Sequence, residues 1–175
     1  GLIAIDYETT GRKPEREGHT IYTCAICFEG KTTVAFPIRE NAELKKELGV
    51  LMANRHVRKI AANFKFEDRW TRAILGVRPK GWVWDTCLAA HILDNRSDIT
   101  GLKFQAAVNA GVFDYGSSMK LFFDKAAPGE VKYGANRRNY ISSAPLGDLL
   151  TYNGMDAALE FFIAKKQAEI LGVTL

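Results

Sequence analysis

The chain is short of cysteine and histidine and has no long apolar run. Three cysteines in 175 residues are too few for a disulfide scaffold and fit a reducing, cytoplasmic setting. Cys24 and Cys27 form a C-x-x-C inside a predicted strand, where positions i and i+3 face opposite sides and cannot share a zinc ion. His19, His56 and His91 are scattered, without the spacing of a helical metal motif. No stretch approaches the ~20 apolar residues that span a bilayer, and no charged segment followed by an apolar one marks a signal peptide. No membrane partner is expected. Fifteen glycines and five prolines exclude a low-complexity or collagen-like chain.

What is present is ordinary for one folded domain spanning residues 1–175: 47% hydrophobic and 25% charged residues, enough to bury a core. The formal charge of +4 is a faint pointer to an anionic partner. An apolar run, Leu2 to Ile5, starts immediately behind Gly1. Domains seldom open a core strand at their first residue, so the chain is expected to be a piece of a longer polypeptide.

The apolar pattern predicts a strand at Leu2–Ile5, then a hairpin of Ile21–Phe28 and Thr32–Ile38 turning at Glu29-Gly30-Lys31. A helix over about 41–54 follows, capped by Asn41, then a short strand at Lys59–Ala62. Phe66–Leu75 reads as a helix stopped by Gly76, Trp82–Trp84 as a last strand, and Thr86–Leu93 as a helix with Asp85 as its N-cap. The remainder is helical at 102–110, 117–125 and about 147–171. A hairpin, then alternating helix and strand, then helices alone describes a mixed α/β domain. Residues 126–146, with Pro128, Gly129 and Gly134, break the pattern as an irregular insertion. Trp70, Trp82 and Trp84 are expected to pack the core.

Three groups of residues carry chemistry. Asp6 and Glu8 end the first strand, and their i, i+2 spacing puts both carboxylates on one face with Tyr7 on the other. Two close carboxylates repel unless a cation lies between them, and Mg²⁺ takes such oxygen ligands. Tyr152 and Asp156 are i and i+4 on the last helix and share a face. Asn63-Phe64-Lys65-Phe66-Glu67-Asp68 joins a strand to a helix, where Asn63 can cap and an acid suits the first turn.

Taken in order, Asp6-x-Glu8-Thr9, Asn63-x-Lys65-Phe66-Glu67 and Tyr152-x-x-x-Asp156 resemble the motifs of the DEDD 3′–5′ exonucleases, in the subclass with a tyrosine in the last motif. Trp84-Asp85-Thr86-Cys87-Leu88-Ala89-Ala90 and Leu102-Lys103-Phe104 look like segments of proofreading domains in phage-type family A DNA polymerases. The resemblance spans about residues 2–171. It departs from the family at Glu67, where aspartate is usual. Glu67 keeps the register after Lys65-Phe66; with a register shifted by one, Glu67 and Asp68 exchange roles.

The resemblance implies a ribonuclease H-like fold, a mixed five-stranded sheet flanked by helices with the acids gathered at one edge. It implies two divalent ions, Mg²⁺ or Mn²⁺, held by Asp6, Glu8, Glu67 and Asp156, with Tyr152 orienting the attacking water. The implied substrate is the 3′ end of single-stranded DNA, cut to nucleoside 5′-monophosphates, with a polymerase domain attached in the parent chain and a nucleoid or phage-infected cell as the setting. Thr9, Asn63, Lys65, Lys103, Arg137 and Arg138 are candidates for holding the strand, the two arginines on a flap or, equally, on a solvated loop. The alternatives are an RNA-trimming exonuclease of the same superfamily and a degenerate module that only binds single strands.

Overall fold

In the computed structural model, which describes residues 1–130 and 137–175, the strand that opens the chain runs on past its apolar start. β1 is Leu2–Thr9, and Asp6 and Glu8 lie in its C-terminal half, as their i, i+2 reading required. β2 (Ile21–Phe28) pairs with it antiparallel and β3 (Thr32–Pro37) returns along β2. α1 (Ala42–Ala53) follows, and the Asn41 side chain accepts the Leu44 N–H at 2.9 Å as its predicted cap. β4 (Arg58–Ala61) lies parallel to β1, and α2 (Lys65–Trp70) continues as a wide π turn at Thr71–Leu75. β5 (Trp82–Asp85) is parallel to β4 and leads into α3 (Thr86–Leu93). α4 (Leu102–Ala110), α5 (Ser117–Asp124) and the 25-residue α6 (Leu146–Ile170) complete the chain. The sheet has five strands in the order β3-β2-β1-β4-β5, the mixed sheet expected of a ribonuclease H-like fold.

The alternation of β1 sorts its two faces. Ile3, Ile5 and Tyr7 join Cys24, Met52 and Trp70 in the core beneath α1 and α2, and the Tyr7 hydroxyl lies 3.0 Å from Thr71 Oγ1. Leu2 and Ala4 join Cys27 and Ile60 beneath α6, where Ala157 and Ala164 let the helix approach and Phe161 fills the gap. Cys24 and Cys27 thus belong to opposite faces, as the strand period required. Burying each large side chain in these layers is worth roughly 1.5–3 kcal/mol.

Three expectations need correcting. The acids do not collect at a lateral edge: they lie over the C-terminal end of β1, the middle strand. Asn63 does not cap α2 through its side chain; it takes a left-handed backbone (φ 62°), which asparagine tolerates, and its N–H donates to Asp85 Oδ1 at 2.9 Å. The irregular insertion is not structureless where it is described. Ala126 bridges Asn139, and the Asn139 N–H donates to the Thr10 carbonyl at 2.8 Å. Its middle, residues 131–136, lies outside the described residues.

Candidate active site

Asp6 and Glu8 stand on the α6 side of β1, and α6 brings Asp156 over them. Each of the three offers a carboxylate oxygen within 4.8 Å of the others. The sheet-facing stripe of α6 explains the meeting. It carries the buried polar Asn153, Asp156 and Glu160 beside the apolar Ala157, Phe161 and Ala164, which pack with Leu2, Ala4 and Ile60.

Asn153 fixes Asp6. Its Nδ2 donates to Asp6 Oδ2 at 2.6 Å and to the Asp6 carbonyl at 3.2 Å, while its Oδ1 accepts from Thr23 on β2 at 2.8 Å. Asp156 is held from its other side. The Tyr115 and Tyr152 hydroxyls both donate to it, and Lys103 Nζ lies 3.6 Å from its Oδ1. Lys103 also donates to the Tyr152 hydroxyl at 2.7 Å and sits 4.2 Å from the centroids of both tyrosine rings. Gly116 makes room for this cluster, since a Cβ there would come within 2.8 Å of Tyr152 and 2.9 Å of Lys103. Lys103, a candidate for holding the strand, therefore sits at the acid cluster itself.

Glu67 arrives from the first turn of α2. The preceding loop is pinned by Asp85, which accepts the N–H groups of Asn63 and Phe64 while also capping α3. Glu67 is 2% exposed, and its Oε2 finds no hydrogen-bond partner among the described residues. Asp68 turns the other way, to Arg72 at 2.5 Å and the Trp82 indole N–H at 3.2 Å. A further carboxylate, Glu160, lies one turn beyond Asp156 and is 1% exposed.

Beside Glu8 opens a cavity of about 460 Å³, a size suited to a small ligand. Phe66 and Phe123 supply aromatic walls, and Arg12 and Arg137 supply positive charge. Thr9 and Asn139 line it too, the Asn139 side chain donating to the Thr9 carbonyl at 2.9 Å. Gly11 permits this closure: a Cβ there would strike the His19 ring and lie 3.0 Å from the Arg137 carbonyl. Arg138 is not part of the lining and pairs with Glu130 at 2.7 Å. Asn63 and Lys65 are exposed on the loop and first turn leading to Glu67.

Crowding these acids out of water raises their affinity for protons. Burial first, then Asp156, pushes the Asp6 carboxyl up to about 8, against the opposing pull of Asn153 and Lys103. Burial also raises Glu8 and Glu67, with Asp6 adding to both. Asp156 is raised by burial, and Lys103 and the two tyrosines counter it. A site of hard oxygens, three clustered and one without a donor, fits divalent cations of the Mg²⁺ type. The pH consequence follows from the sign. A carboxyl that titrates near 3.8 unfolded and near 8 folded favours the fold while protonated, so metal-free stability is lost as pH rises through that interval. Thermal melts in EDTA are expected to fall from pH 5 to pH 8, and Mg²⁺ to close the gap by replacing the protons. A melting temperature that rises with pH in EDTA would contradict this.

Sequence reasoning missed Asn153, Tyr115 and Glu160. Glu160 was within reach of the rule that paired Tyr152 with Asp156, being the next i+4 step on the same helix. Asn153 and Tyr115 carried no signal, because each acts through a partner distant in sequence.

A family model described as 3′–5′ exonuclease matches residues 1–171. No curated protein sequence matches. Among solved structures, Brucella melitensis NrnC superposes with a TM-score of 0.69 at 18% identity, covering 99% of this chain and 76% of that one; structures of that protein carry bound Mg²⁺ and pGG. Escherichia coli RNase D, an exoribonuclease involved in structured RNA processing, gives a TM-score of 0.67 at 14% identity, covering 98% of this chain and 40% of that one. The POL domain of Pol1 from M. smegmatis, in complex with DNA primer-template and dNTP, gives 0.64 at 12% identity, covering 97% of this chain and 24% of that one.

Proposed function

We propose, from the premise that this chain belongs to the 3′–5′ exonuclease family, that it removes 3′-terminal nucleotides from single-stranded DNA with the help of two divalent ions. The observation that carries the reading is the convergence of the half-buried Asp6 with the buried Glu8 and Asp156 beside an aromatic-walled cavity, with the buried Glu67 on α2. Asp6, Glu8 and Asp156 would hold one ion, and Asp6 with Glu67 the other. When bound, such ions lower the pKa of water and neutralise charge on the phosphate and the leaving oxygen. The protein's own groups supply position. Phe66 and Phe123 stack the terminal base, Arg12 and Arg137 meet backbone phosphate, and Thr9 and Asn139 line the cavity wall. Asn153 holds Asp6 in one rotamer, and Tyr115 and Lys103 hold Asp156 and Tyr152. Tyr152 orients the attacking water; its hydroxyl, raised by burial and Asp156, keeps its proton and is no base. Water adds to phosphorus, the bond from phosphorus to the 3′ oxygen breaks, that oxygen leaves with a proton, and a nucleoside 5′-monophosphate is released.

A time course on 5′-labelled DNA and RNA single strands, with Mg²⁺ or EDTA, tests polarity, sugar preference and metal dependence together. Stepwise shortening of DNA that EDTA stops is the expected result, and no shortening with Mg²⁺ sinks the reading. A second reading, an exoribonuclease, is favoured by the likeness to RNase D, and faster loss of the RNA ladder would select it. Tyr152→Phe is expected to slow cleavage roughly tenfold without abolishing it, read as single-turnover rate. Arg137→Ala is expected to weaken strand binding and flatten log K against log salt by about one unit of slope, while Arg138→Ala leaves the slope unchanged.

A further inference from the structure

The mechanism above uses four carboxylates, yet a fifth is buried against them. Glu160 is 1% exposed on the sheet-facing stripe of α6. Its Oε1 accepts the Ala62 N–H at 3.1 Å, on the loop that leads to Glu67. Its Oε2 is buried and reaches no donor among the described residues, and the same is true of Glu67 Oε2. The Glu160 carboxyl feels Asp6, Glu67 and Asp156, in that order of strength. Two buried carboxylate oxygens without donors, delivered by two separate helices beside a three-acid cluster, are costly to keep unless something positive lies between them.

Charge balance points the same way. Asp6, Glu8, Glu67, Asp156 and Glu160 carry five negative charges when ionised; two divalent ions and the Lys103 ammonium carry five positive. That balance holds before substrate arrives, and a four-acid site would leave the buried Glu160 Oε2 facing no positive group among the described residues. We propose that Glu160 is a fifth carboxylate of the metal site, acting with Glu67 on the second divalent ion while its other oxygen holds the Ala62 loop. This rests on the two-ion reading of the preceding section. It also gives a use to the length of Glu67, which ends, like Glu160, in a buried oxygen without a donor among the described residues.

Mn²⁺ binding, measured by calorimetry and by electron paramagnetic resonance in the presence of a deoxynucleoside 5′-monophosphate, tests the assignment with wild type and Glu160→Gln. Glutamine keeps the size and can still accept the Ala62 N–H. Wild type is expected to take up two ions. The variant is expected to keep the tighter ion and to bind the weaker at least about tenfold less well. In EDTA it is expected to melt no lower than wild type, since a repulsive charge has gone. Two ions bound by the variant with wild-type affinities overturn the inference and leave the two-ion reading standing. A variant that melts below wild type in EDTA, or fails to fold, makes Glu160 a structural acceptor and also overturns it. A wild-type protein that takes up fewer than two ions overturns the two-ion reading itself, and the inference with it.

Discussion

Asp6→Asn is expected to reduce Mg²⁺-dependent cleavage by roughly 10²–10³-fold, the scale on which removal of one preorganised polar group acts. Of the neighbouring charges, Asp6 raises Glu8 and Glu67 the most, and Asn153 holds it at 2.6 Å. An asparagine keeps the shape and still offers an oxygen to Asn153, but it removes the charge that two cations would share. The fold gains from the same change. Without metal, Asp6 is crowded by Asp156 in a buried setting, so the variant is expected to melt higher than wild type in EDTA at pH 8. Activity and stability therefore move in opposite directions, which separates a catalytic loss from misfolding. Digestion of a single strand near the wild-type rate would remove the assignment.

The second large effect separates two adjacent acids. Glu67→Gln is expected to cost roughly 10²-fold in rate and to raise the Mg²⁺ concentration needed for half-maximal cleavage. Asp68→Ala is expected to leave both unchanged and to lower stability by about 1 kcal/mol or less, because its partner Arg72 is half exposed. The sequence allowed either acid to serve the ion. The geometry separates them: α2 turns Glu67 inward to a buried end without donors and Asp68 outward to Arg72 and Trp82. If Asp68→Ala abolishes cleavage and Glu67→Gln does not, the register is the shifted one.

Much of the architecture was legible because periodicity is local. The alternation of Ile3, Ile5 and Tyr7 against Leu2, Ala4, Asp6 and Glu8 sorts β1 without knowledge of its neighbours. Thr86–Leu93 behind its Asp85 cap and Leu102–Ala110 before Gly111 carry start or stop signals within one turn. The break in α2 was not legible, since the wide turn at Thr71 forms where its hydroxyl meets Tyr7, 64 residues away. Lys103 shows the same limit: its charge made it a candidate for holding the substrate strand, and only the packing of α4 on α6 carries it to Tyr152 and Asp156.

The sequence by itself determined the chemistry on offer and its facing. Asp6 with Glu8 by the strand period, Tyr152 with Asp156 by the helix period, and an acid in the first turn of α2 are consequences of backbone geometry over a few residues. Tertiary structure decided what those groups meet. It brought Asp156 within 4.8 Å of the β1 pair, turned Glu67 inward and Asp68 outward, recruited Asn153, Tyr115 and Lys103, and buried Glu160 on the same helix. The reason is that a carboxylate's protonation, partners and cation affinity depend on charges and solvent within a few ångströms, and those neighbours come from segments as far apart as β1 and α6.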